Sequence, residues 1–251
     1  MINKKLALII LLITFIFTGA IMLLRQPQTI NKININSVVM TDEKIIQLPQ
    51  PKFYSDISIE EALLKRRSVR RFTQEPLTLE EISQLFWAAQ GITPRPDNKK
   101  GRTAPSAGAT YPLEIYLAVR ESNGKAGVVG LKPGVYRFLI KEFELKRVLE
   151  DDIHLKLSAA ALGQEWIAQA PINIIIGAVY ERTTAKYGER GVKYVHMEVG
   201  HVGQNISLQA ISLNLGTVVV GAFKSEEVKK VVNMAENVVP LYIMPVGRPV
   251  K

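Results

Sequence analysis

The densest run of cations is Lys65-Arg66-Arg67-Ser68-Val69-Arg70-Arg71. Forked guanidinium donors beside a hydroxyl suit a phosphate group. A solvated basic face or a surface apposed to a membrane would have the same composition. Nucleic acid is disfavoured as a partner, because stacked bases need aromatic residues among the cations and only Phe72 follows the run. A second candidate is Ala104-Pro105-Ser106-Ala107-Gly108-Ala109-Thr110-Tyr111-Pro112. Its small side chains let a flat ligand lie against backbone amides, although an ordinary Gly/Pro loop reads alike. A third is Val218-Val219-Val220-Gly221-Ala222-Phe223, where a glycine closes an apolar run. The chain has no cysteine, which excludes thiolate nucleophiles, thiolate metal sites and disulfides. The histidines are His154, His196 and His201, and the last two lack the spacing that stacks two ligands on a helix face, so no metal site is expected. Glu198, His201 and Gln204 fall broadly on one helix side and read as helix or interface contacts. Lys186-Tyr187 and Lys193-Tyr194 read as plain surface, with the substrate side as the alternative.

These residues need elements to position them. Ser58 with Glu61 forms a capping box that opens a short helix through Ile59, Ala62 and Leu63 into Arg66 and Arg67. Thr78 with Glu81 opens a second, with Leu79, Ile82, Leu85, Phe86 and Ala89 at helical spacing and Gly91 as its left-handed stop. A long loop of Pro, Gly and basic residues follows from Thr93 to Ala109. Strands are predicted over residues 113–119 and 135–140, with Pro133-Gly134 turning between them. A helix over residues 155–169 precedes a strand at 172–179, apolar enough to be buried on both faces. The longest helix covers about Val192 to Leu215, where Gly200 and Gly203 allow close approach and Met197 reads as core or interface packing. A strand at 217–221, a short helix from Ser225 and a strand at 241–246 complete the series. Strands and helices mix without strict alternation, which gives an α+β class.

The first fifty residues read differently. Residues 6–24 carry no charge and follow Lys4 and Lys5. As a helix they span about 28 Å, the thickness of a bilayer core. No small-x-small cleavage site follows Leu24, which favours an uncleaved single-pass anchor over a cleaved signal peptide. The flanking charges set the orientation only weakly. Residues 1–25 are therefore read as the membrane segment, 26–52 as a linker broken by prolines, and 53–251 as one folded domain. The net charge of +9 fits an anionic ligand or an anionic surface.

Four pieces in order give the chain a specific resemblance: Arg66 to Phe72, Ala104 to Pro112, Glu198-Val199-Gly200-His201-Val202-Gly203-Gln204-Asn205, and Pro245-Val246-Gly247-Arg248-Pro249. Over roughly Ser58 to Val250 the chain resembles the nitroreductase superfamily, most closely its SagB-type dehydrogenase branch. That resemblance implies an α+β fold with a mixed or antiparallel sheet flanked by helices, and FMN at a homodimer interface. It implies NADH or NADPH as electron donor, and a nitro compound, quinone or similar small molecule as acceptor. Carried over, Arg66, Arg67, Ser68 and Arg70 would surround the FMN phosphate and ribityl chain. Pro105, Ser106, Ala107 and Gly108 would approach the flavin ring, Val220 and Gly221 would offer amides near its N5, and Arg248 and Lys251 would stand near the phosphate. Many members have an Asn in the middle motif where this chain has Ala109. Oxidation of an azoline ring in a modified peptide, and a membrane-tethered flavin protein without turnover, stay as alternatives.

Overall fold

The computed structural model describes residues 45–94, 96, 100–122 and 125–250. The segment read as an anchor and most of the linker lie outside the described residues. Among the described residues no helix is long and apolar enough to cross a membrane.

The strands are β1 (Ile45–Gln47), β2 (Ile92–Pro94), β3 (Lys100–Arg102), β4 (Leu113–Val119), β5 (Glu121–Ser122), β6 (Lys125–Ala126), β7 (Gly134–Leu139), β8 (Glu144–Leu149), β9 (Ile172–Ala178), β10 (Gly216–Thr217) and β11 (Val239–Gly247). The helices are α1 (Ile59–Lys65), α2 (Leu79–Gln90), α3 (His154–Ala160), α4 (Glu165–Gln169), α5 (Glu181–Tyr187), α6 (Arg190–Ser212) and α7 (Ser225–Val232). A seven-stranded sheet runs in the order β1-β8-β7-β4-β9-β11-β10. Its ladders are antiparallel throughout, so the mixed alternative falls away.

The central strands β4 and β9 are buried along their whole length. Their side chains alternate between two cores. Ile115, Leu117, Ile174 and Ile176 meet Leu85 and Phe86 of α2 and Val199, Val202 and Ile206 of α6 on one face. Tyr116, Ala118 and Ile175 meet Leu157 of α3, Ile167 of α4 and Val228 of α7 on the other. An antiparallel sheet covered on both faces reads as unbroken apolar runs, which is why β9 was legible.

Several boundaries differ from the sequence reading. The stretch read as linker supplies β1, paired with β8, and Leu48 enters the core. Gly91 is extended, at φ −56° and ψ 142°. It is glycine because a Cβ would lie 2.3 Å from Trp87 Cδ1. The expected 155–169 helix breaks in two: Leu162 and Gly163 take φ of 62° and 74°, and the Gly163 amide closes back on the Ser158 carbonyl at 2.9 Å. Of the expected 217–221 strand only Thr217 stays in the ladder, beside Gly216, with one isolated bridge from Val220 to Ile243. Gly134 begins β7, and the β5–β6 hairpin lies between β4 and β7. The Thr78–Glu81 capping box is complete, whereas Ser58 receives the Glu61 amide while the Glu61 carboxylate turns to Lys65.

Candidate functional site

Helix α1 ends at Arg66, and the chain then runs extended between two strand ends. The Val69 amide donates to the Thr217 carbonyl at 3.0 Å, Thr73 to Arg248 at 2.9 Å, and Val250 to Arg71 at 3.1 Å. Gly216 makes this seating possible, since a Cβ there would fall 2.7 Å from the Val69 side chain. Ser68 thereby bridges Thr217, and Arg70 lies over the Trp166 ring at 5.3 Å. Gln164, at the start of α4, donates to the Ala222 carbonyl at 2.8 Å. One region therefore holds Ser68, Arg70 and the 217–222 segment.

The candidate residues here divide. Arg66 and Arg70 have no carboxylate partner among the described residues. Arg67 folds back on its own chain, donating to the carbonyls of Leu64 at 3.0 Å and Arg66 at 2.8 Å. The Val220 amide is spent on Ile243 at 2.9 Å, a correction to the expectation that it faces a ligand. The exposed Gly221 amide makes no hydrogen bond among the described residues. Arg248, expected near the phosphate, pairs its Nε with Glu75 at 2.7 Å and its Nη1 with Glu81 at 3.0 Å. Burial works against its charge, but Glu81 and Glu75 outweigh it and hold the guanidinium above its ordinary range. Lys251 lies outside the described residues.

The Pro105–Gly108 loop builds a separate cleft of about 510 Å³, lined by Thr93, Arg102, Pro105, Ser106, Gly108 and Tyr111 among others. Its backbone is unusual: Gly108, Ala109 and Tyr111 take φ of 58°, 54° and 47°. Such conformations in residues other than glycine persist only where surroundings enforce them. Here the Ser106 hydroxyl accepts the Tyr111 amide at 2.9 Å, Thr110 bonds Thr183 at 2.8 Å, and Arg182 donates to the Tyr111 carbonyl at 3.2 Å. A Cβ on Gly108 would lie 2.4 Å from Tyr187 Oη and 2.6 Å from Lys186 Nζ. Lys186, exposed, and Tyr187, half-buried, thus stand against the loop. Lys193 is exposed, while Tyr194 packs edge-on to Tyr187 at 5.2 Å.

Three residues beside this loop escaped the sequence reading or were misread. Arg102 stacks over Tyr111 at 4.2 Å and donates to Gln90 Oε1 at 2.7 Å. Gln90 is fully buried at the end of α2. Glu198 is buried, whereas His201 and Gln204 are exposed, so the three do not share surroundings. A polar residue at a core position of α2 was the available signal for Gln90. Among the described residues no group of His, Asp and Glu is placed to hold a metal.

The arrangement offers a cationic, hydroxyl-bearing segment in one place and a small-residue cleft with strained backbone, beside an amine and a phenol, in another. The Nitroreductase family model matches residues 63–248. A nitroreductase-like protein of Methanocaldococcus jannaschii is 49% identical over 212 residues, 84% of this chain and 100% of that protein. The FMN reductase [NAD(P)H] of Bacillus subtilis is 27% identical over 204 residues, 75% of this chain and 64% of that one. Among solved structures, a nitroreductase-like protein from Ralstonia eutropha superposes with a TM-score of 0.71 at 26% identity, covering 84% of this chain and 92% of that one. A chain of the Escherichia coli microcin synthetase McbBCD complex, with truncated pro-MccB17 bound, gives a TM-score of 0.64 at 25% identity, covering 81% of this chain and 78% of that one. With the antiparallel α+β fold already established, the chain belongs to the nitroreductase family.

Proposed function

We propose that the chain is an FMN-dependent oxidoreductase that takes electrons from NADH or NADPH and reduces a nitro compound, a quinone or a similar small acceptor. One observation carries this reading: Arg66 and Arg70, unpaired with any carboxylate among the described residues, share a segment with Ser68, which bridges Thr217 on the stretch that leads to the exposed Gly221. The residues present fit FMN. Arg66, Ser68 and Arg70 would hold its phosphate, and the Gly221 amide would face its ring. The Pro105–Gly108 loop would cover the ring from a second copy of the chain. FMN supplies hydride and electron transfer, so the protein's task is to bind, orient and shield it.

A homodimer is part of the proposal. Phe53, Tyr54, Ile59, Leu63 and Leu64 are 53–79% exposed within one short stretch, an apolar surface that a second copy would cover. Gly203 does not serve this purpose, since a Cβ there would meet the Tyr242 ring inside the fold at 3.3 Å, whereas Gly200 faces open space. Residues 6–24 would tether the enzyme to a membrane and bring lipid-soluble acceptors within reach. Azoline oxidation in a modified peptide is the second reading, favoured by the likeness to the McbBCD chain.

The full-length chain, extracted from washed membranes, is expected to carry one yellow flavin per protomer that NADH or NADPH bleaches and a quinone or nitroarene restores. Colourless protein with no affinity for added FMN would overturn the proposal. Yellow protein that neither cofactor bleaches would place it with flavin proteins that do not turn over, and yellow protein recovered from the soluble fraction would remove the tether.

A further inference from the structure

Glu198 lies on α6 beneath the 104–111 loop, is 2% exposed, and finds no hydrogen-bond partner for its Oε1. Three groups face the carboxyl: the Ser106 hydroxyl from the loop, the Gln90 amide from α2 and the Arg102 guanidinium from β3. Gln90 Nε2 is close to it but makes no aligned hydrogen bond. Tyr111, Arg182 and Glu114 act on the same cluster through Arg102. Burial raises the carboxyl above its ordinary range, and Ser106, Gln90 and Arg102 oppose that rise without cancelling it.

Arg102 is the hinge of this cluster. In the structure the guanidinium rests on Gln90 Oε1 at 2.7 Å and over the Tyr111 ring at 4.2 Å. It thereby braces a loop whose Ala109 and Tyr111 sit at positive φ. A buried carboxylate demands a counter-charge, and Arg102 is the cation that faces it. We propose that Glu198 is the positioning residue of the 104–111 loop: uncharged, it leaves Arg102 bracing Tyr111, and charged, it draws Arg102 away and frees the loop. The consequence for flavin affinity rests on the function proposed above, but the motion of the loop does not.

Hydrogen exchange on the full-length chain in detergent reads the loop directly, at the Tyr111 amide held by the Ser106 hydroxyl. After correction for intrinsic rates, wild-type protection is expected to fall about tenfold between roughly pH 5 and pH 9, the equivalent of one buried hydrogen bond. Glu198→Gln should stay protected throughout, and Arg102→Met should be unprotected throughout. Exchange in β9 reports the fold in each variant. Should Arg102→Met not fold, Glu198→Gln against wild type still decides. Flat wild-type protection, or a Glu198→Gln profile that follows wild type, would overturn the proposal. FMN fluorescence is measured in parallel. A chain that frees its loop on ionisation yet ignores FMN keeps this inference and loses the proposed function.

Discussion

Arg70 and Arg248 lie on neighbouring extended segments, and their surroundings give them opposite work. Arg70 projects over Trp166 with no acid beside it, so its charge is available to a phosphate. Arg248 is held by Glu75 and by Glu81, and Glu81 also closes the capping box of α2. Arg70→Ala, and likewise Arg66→Ala, is expected to weaken FMN binding by roughly tenfold to a hundredfold, the loss of a charge-assisted bond, while leaving the melting temperature near wild type. Arg248→Ala should do the reverse. It removes the cation that pairs with Glu81 and with the exposed Glu75, lowers stability by about 1–2 kcal/mol and leaves FMN affinity unchanged. Isothermal titration beside thermal melts separates the two, and an Arg248→Ala protein that melts normally but loses FMN would return Arg248 to the site. The cationic run was legible because its density is local. Which cations were already paired was not, since Glu81 and Arg248 are 167 residues apart.

At the scale of elements, apolar runs and cap signals located β9, α2 and α6, because burial and capping are written in neighbouring residues. The break between α3 and α4 was hidden, since a helical pattern spans Leu162 and Gly163 and only the turn geometry interrupts it. That interruption leaves α3 short and starts it at His154, a fully buried imidazole. Its Nδ1 bonds Asp152 Oδ1 at 2.7 Å, and its Nε2 has no partner among the described residues. Burial lowers the imidazole's affinity for a proton more than Asp152 raises it. For Asp152 burial acts the other way, but the hydrogen bond and charge of His154 and the amides of His154 and Glu121 hold it down to about 2. The sign for the histidine follows from linkage. Above the ordinary histidine value of about 6.5 neither folded nor unfolded chain is protonated there, and below it the unfolded chain takes up a proton that the fold resists. Stability should therefore decline as pH falls below about 6.5, with the Asp152 contribution persisting until pH falls past the ordinary 3.8 toward about 2. Melts across this range should show the decline in wild type and a shallower one in His154→Gln, whose amide can still donate to Asp152. Parallel curves would show that His154 does not carry the effect.

At the scale of the whole molecule, the two parts of the proposed site are organised separately. Arg66, Ser68, Arg70 and Gly221 belong to the segments crossing the ends of β10 and β11, and the 104–111 loop with Lys186 and Tyr187 belongs to the cleft beside β3. The cleft of the 104–111 loop is lined by none of Arg66, Ser68, Arg70 and Gly221. In the proposed two-fold dimer each site would take one half from each protomer. This makes a sharper prediction than oligomeric mass alone. Arg70→Ala damages the phosphate half. Gly108→Val damages the loop half, because φ of 58° disfavours a branched side chain and Lys186 and Tyr187 fill the space a Cβ would need. Each variant alone should bind little FMN. Co-expressed, half of the dimers formed at random are mixed, and each mixed dimer places both lesions in one site and leaves the other intact, so about a quarter of all sites should recover FMN. Bound flavin per chain, measured after gel filtration, reads this without reference to turnover. If both halves came from the same chain, every mixed dimer would hold two damaged sites and mixing would recover nothing.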